Sequence, residues 1–83
     1  MTTAAATNAL FLHLLLGAAA TTAHDVRLHT ERAAKAALKV KALEATPANL
    51  SDARGGADIA MELIREDMAV DEVVAEMLTQ LQD

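Results

Sequence analysis

The sequence predicts an all-α fold, a small three- or four-helix bundle completed by homodimerisation. Strong helix formers dominate, with 20 Ala and 12 Leu among 83 residues. β-Branched and aromatic residues are few, and no segment alternates strictly between apolar and polar, so sheet is not expected. The dimer follows from a third observation: Phe11 is the one aromatic residue and Cys is absent. An aromatic ring buries roughly 150–250 Å² and an alanine little, so a chain of this length has a thin core. Domains this small usually rely on disulfides, metal or a second subunit. Without Cys, disulfides and thiolate metal sites are excluded, and a second copy is the favoured staple.

One domain over 1–83 is expected, with helices near 8–20, 23–45, 48–66 and 69–81. The first, from Asn8 to Ala20, is apolar all round through Leu10, Phe11, Leu12, Leu14, Leu15 and Leu16. A helix with no polar face must be covered by its own protein, a partner or lipid. For a transmembrane span the Leu-rich run is short and is diluted by Asn8, His13, Gly17 and several Thr. For a signal peptide, residues 8–23 offer an apolar stretch and small residues at Thr21 and Ala23. No Lys or Arg precedes Arg27, however. Export or membrane association through 8–23 stands as an alternative. The expectation is a cytoplasmic protein with this helix buried centrally, Leu12, Leu15 and Leu16 pairing with a second copy.

Gly17 and the pair Thr21–Thr22 weaken the first helix, and Thr22 with Asp25 fits a capping-box start for the second. Within it, Glu31 and Lys35 stand one turn apart in the favourable order. A different register, Ala5, Asn8, Leu12, Leu15, Ala19, Thr22, Val26, His29, Ala33, Ala36, Val40 and Leu43, would suit one long helix with a coiled-coil seam. Asn8, Thr22, His29 and the many alanines make it a poor zipper, so two helices with a break between Gly17 and Thr22 are expected.

Thr46–Pro47 is the clearest punctuation. Pro disfavours αR in the residue before it and is welcome at the first helical position, so Thr46 is a candidate cap and Ser51 a second one. Gly55–Gly56 is either a turn or a smooth patch inside a helix. Asp67 is a candidate cap for the last helix. There Val70, Val73, Val74, Met77, Leu78 and Leu81 fall at i, i+3, i+4, i+7, i+8 and i+11, with Asp71, Glu72 and Glu76 on the other face. Such a helix either closes the bundle or docks into a groove.

Charge divides the chain. No charged side chain lies in residues 1–23; residues 24–44 hold five basic against three acidic groups, and 51–83 two Arg against nine acids. At net −5, direct nucleic-acid binding by counter-ion release is disfavoured. Residues 60–78 have the cadence of a helix–turn–helix pair. Asp71, Glu72 and Glu76 stand where a DNA reader presents Arg, Lys, Asn or Gln, so no such function is carried over.

Chemistry has little to work with. His24 and His29 are five residues apart, about 140° around a helix, and so point different ways. His13 is expected to bond a backbone carbonyl or its symmetry mate. Carboxylate pairs such as Asp58/Glu62, Glu62/Glu66 and Glu72/Glu76 read as solvated faces. Ser51 is the one serine, and Arg54-Gly55-Gly56 lacks the rest of a phosphate loop. The basic strip Arg32, Lys35 and Lys39, with Arg27 and Lys41 nearby, suits phosphate or anionic lipid, but such a strip is more often solvated or faces the molecule's own acidic half.

The expected function is non-enzymatic, without cofactor or metal: a small acidic protein–protein interaction or regulatory module acting through helix–helix contacts. Leu12, Leu15 and Leu16 are the expected self-association residues. Val70, Val74, Met77 and Leu81, with Asp71, Glu72 and Glu76, are expected to meet a partner if the last helix is free. An acidic antagonist of a basic nucleic-acid-binding protein is the further alternative.

Overall fold

A computed structural model describes residues 3–81 as four helices: α1 (Thr3–Ala19), α2 (Ala23–Val40), α3 (Pro47–Arg65) and α4 (Val70–Gln80). No strand occurs among the described residues. Positions 1, 2, 82 and 83 of the expected domain lie outside them.

The chain makes two helices, not one, before Pro47. α1 stops at Ala19, where the Ala20 N–H turns back to the Gly17 carbonyl at 3.3 Å. Thr22 then caps α2, its hydroxyl accepting from the Asp25 N–H at 3.1 Å. α1 also begins earlier than expected, because Thr3 to Thr7 extend the helix, with Thr7 Oγ1 donating to the Thr3 carbonyl at 2.9 Å.

α2 is five residues shorter than the expected 23–45. It ends in a Schellman motif, with the Leu43 N–H on the Leu38 carbonyl at 2.9 Å and the Ala42 N–H on the Lys39 carbonyl at 3.1 Å. Ala42 takes the left-handed conformation, φ 56°, usually given to glycine. Leu43 packs on the core that includes Leu38, the apolar contact that accompanies this motif. α3 closes in the same way: Met68 N–H to Leu63 carbonyl at 3.1 Å, Asp67 N–H to Ile64 carbonyl at 3.0 Å, and Asp67 at φ 67°.

Two cap assignments are thereby settled. Thr46 caps α3, its hydroxyl accepting from the Asn49 N–H at 3.1 Å with Pro47 in the first turn, while Ser51 lies inside the helix. Asp67 belongs to the end of α3 and not to the start of α4, whose N-cap Ala69 offers no side-chain bond. Asp71 and Glu72 in the first turn of α4 face its positive end instead.

α1 and α2 form an antiparallel hairpin: His13 meets His29, and nearer the start of α1, Ala9 shares a cleft with Ala36 and Lys39. α3 runs back along α2, where Arg54 reaches Glu31 and Asp58 reaches Thr30. α4 packs chiefly on α3. The core between them holds Leu10 and Leu14 of α1, Leu38 and four alanines of α2, Ala53, Ala57, Ala60 and Met61 of α3, and Val73, Val74 and Met77 of α4. Its backbones approach closely because so many contacts are alanine methyls. Gly17 carries this furthest: a Cβ there would overlap the Met61 sulfur and lie 3.2 Å from the His29 Cβ. Gly55–Gly56 falls inside α3, with Gly56 against Met77 of α4 and open space at Gly55. The radius of gyration, 11.4 Å, is close to the ~12 Å expected of a folded chain this long.

Candidate functional site: the outer face of the helical hairpin

The leucine-rich helix is divided between two surroundings. Leu10 and Leu14 are wholly buried, but Leu12, Leu15 and Leu16 are 52%, 45% and 43% exposed. Central burial within the chain, expected for the whole run, therefore holds only for the inward stripe at i and i+4. The physical reason is that three neighbouring helices cover one side of α1 and leave the other open. The open side carries Ala5, Asn8, Leu12, Leu15, Leu16 and Ala19, all exposed. It contains the first five positions of the coiled-coil register read from the sequence.

α4 is not free. Val74, Met77 and Leu81 are buried, and Val70 is half-buried against the same core, so these four serve to close the bundle and are not presented to a partner. What α4 offers outward is Asp71, Glu72 and Glu76, all exposed. Further exposed acids are Asp58 and Glu62 on α3, Asp58 turned to Thr30 of α2, and Glu66 and Asp67 on the connection. Glu62 pairs with Arg65 at 3.3 Å. Between α3 and α4 lies an open cleft of about 260 Å³ with Gly56, Ala60 and Met77 in its lining and Ile59, 60% exposed, beside them.

On the opposite flank of the hairpin, His13 and His29 stack at 5.3 Å with an interplanar angle of 23°, and their Nδ1 atoms lie 3.1 Å apart in a hydrogen bond. The expected carbonyl or symmetry partner of His13 is thus replaced by a ring on the next helix. One nitrogen must donate and the other accept, so the pair accommodates at most one shared proton at this contact. Burial, then His29, then the Arg32 charge hold His13 below the usual imidazole value. A signal for this pair was present in the sequence. His13 and His29 are each eight residues from Thr21, and a hairpin folded there sets such positions side by side.

The basic strip stays together. Arg32, Lys35 and Lys39 line a groove with His13, Ala9 and Ala36. Glu31, expected to pair with Lys35, lies 3.9 Å from it but gives both carboxylate oxygens to Arg54, at 2.6 and 3.0 Å. That fork, more than Lys35, draws the Glu31 carboxyl below the usual range. Arg65 donates to the carbonyls of Gly17 and Ala18 at 3.1 and 3.0 Å, a contact that no periodicity announces.

Among the described residues no three His, Asp or Glu side chains gather as metal ligands, and no buried side-chain polar atom lacks a partner. Among the described residues no helix is long and apolar enough to cross a membrane. Compared with protein-family models, with curated proteins and with solved structures, the chain matches none.

Proposed function

We propose that this protein is a non-enzymatic interaction module of the cytoplasm that works by helix–helix contact, the outer face of α1 pairing with the same face of a second copy. One observation carries the reading: Leu12, Leu15 and Leu16, at i, i+3 and i+4 of one helix, keep about half of their surface open. Single exposed leucines are ordinary, but a contiguous ridge of three invites cover. Exposed Ala5 and Ala19 beyond its ends let a second helix approach closely.

Magnitudes set the strength. Full burial of a leucine stabilises by roughly 1.5–3 kcal/mol, so covering the remaining half contributes about 1 kcal/mol each. Six leucines across a two-fold axis give about 6 kcal/mol before an association cost of about 4 kcal/mol or more is subtracted, so the small residues buried beside them must add about 2 kcal/mol to reach the ~4 kcal/mol net of a millimolar dimer. The dimer is therefore weak and concentration-dependent. Sedimentation from micromolar to millimolar protein tests it. The expected result is a monomer–dimer equilibrium that Leu15→Asp abolishes while the helical circular dichroism is kept, since Leu15 lies outside the core. A monomer throughout the range rules the reading out.

A second reading draws on the acidic surface of α3 and α4. Seven exposed carboxylates there (Asp58, Glu62, Glu66, Asp67, Asp71, Glu72 and Glu76) suit a basic partner, such as a nucleic-acid-binding protein whose surface they would occupy. Capture from the native cell at low and high salt tests it, with retention expected at low salt only. A partner indifferent to salt, or none, removes this reading.

A further inference from the structure

We propose that the groove between α1 and α2 is an anion site that takes a phosphate group, held by Arg32, Lys35 and Lys39 of α2 with His13 of α1 opposite. The groove encloses about 220 Å³, several times the ~30 Å³ share of a water in the liquid. It has room for a phosphate and the start of its ester. Ala9 and Ala36 line it with methyl groups only, so an oxyanion reaches the cations without steric contest.

The charge balance of this groove is unlike the rest of the molecule. Among the described residues no carboxylate lines it. Elsewhere Arg54 forks onto Glu31, Arg65 bonds Glu62 and two helix-end carbonyls, and Arg27 shares its cleft with Glu31 and Asp58. Lys35 has only the 3.9 Å approach of a Glu31 already committed to Arg54. In a chain of net charge −5, three cations at i, i+3 and i+7 of one helix repel each other where nearby acids could have balanced them. An anionic occupant removes that repulsion. Its class follows from the donors: a planar guanidinium fork fits two phosphate oxygens, and two ammonium groups add point charge. A long nucleic acid is disfavoured, because the acidic α3–α4 surface repels an extended polyanion. The group therefore belongs to a small phosphate ester or to a lipid headgroup.

Three proteins decide it: the natural chain, the double variant Arg32→Gln/Lys39→Gln, and Arg27→Gln, all changed only at exposed positions. Two probes are used in near-physiological salt, inorganic pyrophosphate followed by amide chemical shifts, and phosphatidic acid vesicles followed by co-sedimentation against neutral phosphatidylcholine vesicles. Saturable shifts centred on residues 32–39, weakened at least tenfold in the double variant and kept in Arg27→Gln, support a free phosphate ligand. Binding to the acidic vesicles alone, with the same dependence on Arg32 and Lys39, supports a headgroup. No saturable binding of either probe, or equal loss in Arg27→Gln, overturns the site. The outcome does not depend on self-association, which the sedimentation experiment reads separately.

Discussion

The Arg65 guanidinium, near the end of α3, donates to the Gly17 carbonyl at 3.1 Å and to the Ala18 carbonyl at 3.0 Å. The last carbonyls of any helix lack partners within it. Here the end of α1 is satisfied by a cation from a different helix, which also complements its negative pole.

Replacing Arg65 by Met should therefore loosen α1 rather than α3. The expected loss is about 1–2 kcal/mol, at the low side of the roughly 1.5–3 kcal/mol of hydrogen bonds to a charged group because the acceptors can turn to water. Arg65→Lys should recover only part of it, because an ammonium keeps the charge but not the fork. Urea unfolding measures the loss, and amide exchange should show residues 15–19 opening first. Unchanged exchange in that turn would contradict the assignment.

Two glycine substitutions should act with opposite sign. Gly55→Ala adds a methyl where nothing lies within 4 Å, so it should stabilise by about 0.5–1 kcal/mol through helix propensity. Gly17→Ala gains the same propensity but drives its methyl into buried Met61 and against His29. Overpacking of this kind costs about 1–3 kcal/mol, so the net effect should be destabilising. Thermal melts of the two variants side by side test this. A stable Gly17→Ala would mean that α1 and α3 stand further apart.

The stability should fall in acid in two steps. His13 titrates below its ordinary value in the folded chain, so the unfolded chain takes up the proton first. Its contribution is fully present above about pH 6.5, the unperturbed imidazole value, and is lost as the pH falls through the folded value. Glu31 is likewise held below its ordinary value, chiefly by Arg54. Its contribution is present above the unfolded glutamate value of about 4.3 and is lost at lower pH. His13→Gln should remove the upper step and Glu31→Gln shrink the lower one, which Asp25, also held low by His24 and Thr22, shares, as read from melting temperature against pH.

Helix number, the break near Gly17, the Thr22 and Thr46 caps and the inward face of α4 were legible because each rests on local chemistry: a weak helix former, a hydroxyl, a proline, a 3.6-residue period. The Schellman ends were not legible, since Ala42 and Asp67 stand where glycine is the usual marker. Nor was the split of the leucine run. A helix that is apolar on every side carries no period to tell Leu14 from Leu15, and only the placement of three other helices decides it. The His13–His29 pair follows from a hairpin folded at Thr21, whereas the Arg65 contact joins residues 47–48 positions apart and depends on how α3 lies against α1.

The wholly buried alanines of α2, Ala33, Ala34 and Ala37, make mutational drift in this helix run one way. Nothing but glycine is smaller, and every other replacement must wedge neighbouring helices apart before it can fit. Such a chain is robust to loss of bulk, having little to lose, and brittle to gain; variants that survive at these three sites should be confined to glycine and serine.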